Sequence, residues 1–189
     1  MSSTGPTGAR VQTVTEQEIA EAVKTGADPA RYASCRKTGA THAEVLEARR
    51  ARAGLIRYAR CREVGASHAE VLEARGAGAD LNRYASCRKS GATHAEVLEA
   101  NDAGAGLIRY SICRRVGATH PEAMALRLCG AGPTAVDELK LAVPALRAAC
   151  GTNPTRELAE TIATLSQDWA GTADELATTA VALLSTRAS

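Results

Sequence analysis

The residues best suited to chemistry in this chain are four cysteines and four histidines that recur at a fixed spacing. Each of these cysteines is followed, seven residues on, by a histidine, and successive pairs are 26 residues apart. The pairs are Cys35/His42, Cys61/His68, Cys87/His94 and Cys113/His120. Thiolate and imidazole are zinc ligands, and together they can form a nucleophile and its base.

A metal site is not the interpretation that this spacing favours. Zinc needs four ligands at about 2.0–2.3 Å, and one pair supplies only two. Equivalent residues of stacked units repeat at about 8–10 Å, which is too far to share an ion or to form a disulfide. We therefore expect each cysteine to be buried on an apolar stripe and each histidine to be exposed. No metal and no cofactor are predicted, and Cys129 and Cys150 lie outside the pattern.

The repetition also argues against catalysis. An active site is normally unique, whereas a residue that recurs in every unit is typical of packing or capping. The chain has no Walker-type or dinucleotide glycine motif, and residues 135–189 contain no histidine. We expect no enzymatic activity and no small-molecule substrate. Thiol or metal chemistry at the cysteines stays open as a third hypothesis.

The elements that carry these residues are predicted to be short helices within a repeat. In the second unit, Leu55–Val64 has an apolar stripe at helical spacing, and Gly65 can end a helix. Ser67 and Glu70 then form a capping box, which starts a second helix. Four units fit, at 31–56, 57–82, 83–108 and 109–134.

Helices of about ten residues are not stable alone in water, so each hairpin must pack on its neighbours. We predict an all-α fold: an αα-hairpin, helix-turn-helix-like solenoid of four 26-residue repeats. A partial repeat precedes them, and a C-terminal helical cap follows. The predicted boundaries are a flexible N-terminal arm at 1–14, the repeat array at 15–134, and a helical cap or small three-helix domain at 135–189.

Positive charge is concentrated in the array. Residues 31–134 contain 17 basic and 10 acidic side chains, a formal charge of +7, although the whole chain carries +2. Two arginines recur in each unit and would form two rows, which could bind an acidic partner or phosphates. The alternative is that they pair with Glu47, Glu73 and Glu99. The predicted partner-binding residues are Arg31, Arg36, Arg57, Arg60, Arg62, Arg83, Arg88, Arg109, Arg114 and Arg115.

The hairpin turn carries a further resemblance. Cys61, Gly65 and Val71 follow the order small residue, three residues, glycine, five residues, valine. This spacing resembles that of bacterial helix-turn-helix DNA-binding motifs, and the resemblance covers about 20 residues of each unit. It implies that Arg57, Arg60 and Arg62 could contact phosphates. The alternative is that any tight αα-hairpin needs these residues for packing.

The leading hypothesis is therefore a non-enzymatic helical-repeat protein that binds the acidic surface of a protein partner. The alternative is a nucleic-acid-binding protein that uses tandem helix-turn-helix-like units and arginine rows. Residues 1–11 lack the apolar segment of a secretory signal, and no apolar run approaches the roughly 20 residues of a membrane span. With reduced thiols, these features predict a cytoplasmic protein that does not enter membranes.

Overall fold

The computed structural model describes residues 14–128, 135–151 and 153–187. Within these ranges all regular structure is helical, which confirms the predicted all-α class. Helix pairs recur at 26-residue spacing, consistent with a helical-repeat solenoid. The helices are α1 (Glu16–Lys24), α2 (Pro29–Lys37), α3 (His42–Arg50), α4 (Leu55–Glu63), α5 (His68–Gly76), α6 (Leu81–Lys89), α7 (His94–Asp102), α8 (Leu107–Arg115), α9 (His120–Leu128), α10 (Val136–Cys150), α11 (Arg156–Leu165) and α12 (Ala173–Arg187). The predicted arm at 1–14 lies outside the described residues except for residue 14.

Local capping signals set the helix boundaries. The predicted box in the second repeat is present: the Ser67 hydroxyl accepts the Glu70 N–H, and the Glu70 carboxylate accepts the Ser67 N–H. Gly65, with φ of 82°, adopts the left-handed conformation that ends a helix at low cost only for glycine. The same box, with threonine in place of serine, begins α1, α3 and α7.

The chain divides into two compact units, and the boundary lies between Ala85 and Ser86, inside α6. In the first unit, α2 packs against both α3 and α4, so that consecutive hairpins are in contact. Its core contains the fully buried side chains of Tyr32 and Tyr58, together with small residues such as Ala48. The predicted stripe residues Leu55 and Cys61 are buried there as well.

The second unit contains the C-terminal helices. The predicted three helices are α10, α11 and α12; they pack against one another, and α10 and α11 also contact α9. The C-terminal helices therefore pack against α9, the second helix of the fourth repeat. Leu146, Ile162 and Leu176 are fully buried in this cluster, and Pro144 lies inside α10. In the described residues, no helix combines the length and apolar character that crossing a membrane requires.

Candidate partner-binding surface

The two arginine rows of the repeat have different environments. The second row consists of Arg36, Arg62, Arg88 and Arg114, at the sixth position of each repeat. Three of its members lie beside the capping-box glutamate of the preceding repeat, 18 residues earlier in the chain. The distances are 3.3 Å for Arg36 Nη2–Glu18 Oε1, 3.5 Å for Arg62 Nη1–Glu44 Oε1 and 3.4 Å for Arg114 Nη1–Glu96 Oε1.

The second row is a structural element of the repeat. Arg36 is 7% exposed, and its Nη1 donates a hydrogen bond to the Ala40 carbonyl at 2.9 Å. Burial alone would raise the pKa of Glu44, but the Thr41 N–H and the Arg62 guanidinium outweigh it and hold that pKa below its usual value. The guanidinium groups are therefore engaged in ion pairs that connect one hairpin to the preceding one. The glutamates involved are not those that the sequence suggested as partners, Glu47 and its equivalents.

The first row lies at the surface. Arg31, Arg57 and Arg83 are each the third residue of the first helix of a hairpin, and all three are exposed in the first unit. Arg109 has the same position in the second unit and is also exposed. Within residues 14–128, 135–151 and 153–187, these four guanidinium groups have no carboxylate at ion-pair distance.

The other predicted binding residues have varied environments. Arg60 is exposed, and its Nη1 donates to the Asn82 Oδ1 at 3.0 Å. Arg115 is exposed in α8, whereas Arg88 is half-buried in α6. The structure thus divides the predicted set into exposed arginines and arginines that join hairpins.

The histidines are half-buried, contrary to the sequence-based expectation that they are exposed. His42, His68 and His120 each contact the buried tyrosine of their own hairpin. The Tyr58 hydroxyl lies 2.9 Å from His68 Nδ1, and the His68 side chain is only 15% exposed. The rings meet edge to face with centroids 5.7 Å apart. The same pair recurs at 2.7 Å for Tyr32 and His42 and at 2.8 Å for Tyr110 and His120.

The other histidine nitrogen faces a glutamate of the preceding hairpin. His68 Nε2 and Glu47 Oε2 are 3.2 Å apart, and the equivalent distance to Glu21 is 3.3 Å from His42. A tyrosine hydroxyl that donates to Nδ1 leaves the proton of a neutral imidazole on Nε2, facing the carboxylate. Burial raises the pKa of Tyr58 to about 12, so its hydroxyl stays protonated. The constant ten-residue interval between Tyr and His was the sequence signal for this contact.

The cysteines also join hairpins. The thiols of Cys35, Cys61 and Cys87 are fully buried, and each donates a hydrogen bond to a carbonyl 20 residues further on. The acceptors are Leu55 at 3.2 Å, Leu81 at 3.3 Å and Leu107 at 3.3 Å, each the first residue of the next hairpin. Burial raises their pKa values to about 11, 12 and 12, which keeps the thiols protonated. Across the described ranges, no three His, Cys, Asp or Glu side chains group as metal ligands.

These thiols are expected to resist alkylation in the folded protein. The thiolate is the reactive form, and burial disfavours it in Cys35, Cys61 and Cys87. Treatment with N-ethylmaleimide at neutral pH, followed by peptide mapping, should leave all three unmodified, whereas denaturing urea should expose them. Cys150, which is only partly buried, is the internal comparison and should react faster. Rapid modification of Cys61 under native conditions would contradict its placement in the core.

The first row is thus accessible at the surface, whereas the buried tyrosines and cysteines and the half-buried histidines make contacts within the protein. Searches with the chain found no matching protein family, no matching curated protein and no matching solved structure. The functional inference therefore depends on the side chains of this chain and their contacts.

Proposed function

We propose that this chain is a non-enzymatic helical-repeat protein that binds an acidic segment of a protein partner. The observation that supports this function is the contrast between the two arginine rows. Arg36 and Arg62 lie beside glutamates of neighbouring hairpins, whereas Arg31, Arg57 and Arg83 are exposed and have no ion pair in the described ranges. Positive side chains without internal partners are suited to attract negatively charged ones.

The spacing of the exposed arginines suggests the form of the partner. In the first unit, thiol–carbonyl hydrogen bonds join α2 to the start of α4 and α4 to the start of α6. Successive arginines of the row then repeat at about the helix-packing distance of 8–10 Å. A peptide in the polyproline II conformation has three residues per turn and advances about 3.1 Å per residue, so every third side chain lies on one face at about 9 Å intervals. A segment with Asp or Glu at every third residue is the proposed ligand.

Nucleic acid is the alternative partner, and the second helix of the hairpin argues against it. In α5, His68 contacts Tyr58 and Glu47, and Val71 is fully buried. The exposed residues of its first two turns are Ala69 and Glu73, which offer no base-reading amide or guanidinium. The protein partner is therefore preferred. The free thiols suit a reducing compartment, and we place the protein in the cytoplasm.

Binding of defined probes should distinguish these partners. A fluorescein-labelled peptide with glutamate at every third residue is expected to bind in fluorescence anisotropy at low salt. Reversing Arg31, Arg57 and Arg83 to glutamate should weaken this binding by about tenfold or more, because three exposed charge pairs are lost. The matched control reverses Lys24, Lys37 and Arg50, which are equally exposed in the same unit but outside the row.

Two results would contradict the proposal. Tighter binding of single-stranded or duplex oligonucleotides than of the peptide, with a steep decrease at higher salt, would assign the row to nucleic acid. An equal loss of peptide binding in the control variant would show that total charge, and not the row, attracts the ligand.

A further inference from the structure

Three arginines line one cleft in the first unit. The cleft has a volume of about 170 Å³ and lies among the end of α3, the start of α4 and the end of α5. Arg52 follows α3, Arg57 is the third residue of α4, and Arg75 lies in the last turn of α5. The remaining lining residues are Ala53, Gly78, Ala79, Asp80 and Leu81.

The cleft has an excess of positive charge. Arg52, Arg57 and Arg75 have no carboxylate at ion-pair distance within the described part of the chain. Asp80 is the lining carboxylate, and its Oδ1 accepts the backbone N–H groups of Asn82 and Arg83 at 3.0 and 3.1 Å. Three guanidinium groups and one carboxylate leave a formal charge of +2, which a dianion would neutralise.

The combination of three arginines occurs at one repeat junction. The position of Arg52 is occupied by glycine at the other junctions, and the position of Arg75 is occupied by asparagine in the third repeat. The first repeat has an arginine equivalent to Arg75, but there Arg49 Nη2 donates to the Gly26 carbonyl at 3.2 Å. Arg52 has φ of 54°, a left-handed conformation that side-chain-bearing residues rarely adopt. The equivalent glycines are Gly26, Gly78 and Gly104.

We propose that this cleft binds a phosphate group, either as free inorganic phosphate or at the end of a small phosphate ester. A carboxylate is planar and is matched by the fork of a single arginine, whereas a phosphate presents oxygens to several arginines at once. A cleft of about 170 Å³ is large enough for a phosphate group. This site overlaps the proposed arginine row at Arg57, whereas Arg52 and Arg75 lie outside the row.

Calorimetric titration of the full chain with inorganic phosphate, glycerol phosphate and acetate tests the site. Inorganic phosphate is expected to bind saturably with one site per chain, and acetate to bind at least about tenfold more weakly. Arg52→Gly and Arg75→Asn should each weaken phosphate binding by about tenfold, because each removes a charge-assisted hydrogen-bond donor. Both substitutions introduce residues that other repeats have at the same position, so the fold should tolerate them. Arg50→Gln removes an exposed charge that does not line the cleft and should change binding by less than about twofold.

The two phosphate probes distinguish the source of the ligand. Equal binding of glycerol phosphate and inorganic phosphate supports recognition of a terminal phosphate group, and binding of inorganic phosphate alone supports a free anion. The proposal is overturned if inorganic phosphate gives no saturable binding, if acetate binds equally well, or if both arginine variants bind like the unmodified protein. Loss of peptide binding after reversal of Arg31 and Arg83 reports on the arginine row alone, since neither lines the cleft.

Discussion

Replacing Tyr58 by alanine is expected to lower the free energy of unfolding by about 3–5 kcal/mol. Tyr58 is one of the largest fully buried side chains, and the core of the first unit also contains small buried residues such as Ala59 and Cys61. Small side chains cannot move far enough to fill the space that the aromatic ring occupied, so most of the ring volume would remain as a cavity. Urea unfolding followed by far-ultraviolet circular dichroism measures the change.

Tyr58→Phe separates packing from hydrogen bonding at the same site. It keeps the ring but removes the hydroxyl that lies 2.9 Å from His68 Nδ1. The expected loss is about 1 kcal/mol, the usual net value of one hydrogen bond. A phenylalanine variant as unstable as the alanine variant would assign the stabilisation to the contact with His68 instead of to the core. An alanine variant within about 1 kcal/mol of the unmodified protein would contradict the core position altogether.

Replacing Arg147 by alanine is expected to cost about 3 kcal/mol, since it leaves a buried carboxylate without its partner. Glu122 is 2% exposed and receives hydrogen bonds from Arg147 Nε at 2.8 Å and Nη2 at 2.7 Å. Arg147 Nη2 also donates to the Gly117 carbonyl at 2.9 Å. Removing one partner of a buried ion pair usually costs about 3–5 kcal/mol of stability. The lower value is expected here because half of the Arg147 side chain is exposed to solvent. Urea unfolding of the two proteins gives the difference.

The pH dependence identifies Glu122 as the group responsible. Burial would raise the pKa of Glu122, but the Arg147 hydrogen bonds and the Thr119 N–H outweigh it, so the pKa lies below its usual value. The stabilisation is therefore complete above the unfolded pKa of about 4.3 and decreases as the pH falls through the folded pKa. The Arg147→Ala variant should show a smaller decrease in this acid range.

A less buried pair provides the comparison for this prediction. Arg62→Ala breaks a 3.5 Å contact whose side chains are 16% and 27% exposed, and the expected cost is about 1 kcal/mol. If Arg147→Ala lowers the free energy of unfolding no more than Arg62→Ala does, burial of Glu122 does not strengthen its ion pair.

The repeat, its hairpins and its capping boxes could be predicted from the sequence, because they depend on local patterns. The helix predicted at Leu55–Val64 is observed as Leu55–Glu63, and the box at Ser67 is present. Burial of Cys61 followed from its place on the apolar stripe. Such features need only residues within about one helical turn of each other.

The contacts between hairpins were harder to predict. Each of the first three repeats has two or three glutamates. Only the packing of the hairpins determines that Arg62 reaches Glu44 while His68 reaches Glu47. The half-buried position of His68 was missed because a histidine in the first turn of a helix is normally solvated. Arg147 was missed for another reason: it lies 25 residues from Glu122, whereas the repeat pairs lie 18 apart.

In the described residues, the ion pairs between neighbouring hairpins are oriented the same way along the chain: the glutamate lies in the earlier hairpin, and the arginine or histidine lies in the later one. This orientation explains the contacts at the two ends of the array. In the first unit, α3 presents Glu44 and Glu47 to Arg62 and His68 of the next hairpin. In the second unit, α7 presents Glu96 and Glu99 to Arg114 and His120 in the same way. Helix α1 supplies Glu18 and Glu21 to Arg36 and His42, and at the other end Arg147 occupies the place of the arginine that a further repeat would bring to Glu122. A head-to-tail joint of this kind can continue from one molecule into the next and form a filament. Glu18 and Glu21 of α1 and Arg147 of α10 already occupy the contacts through which such a filament would grow.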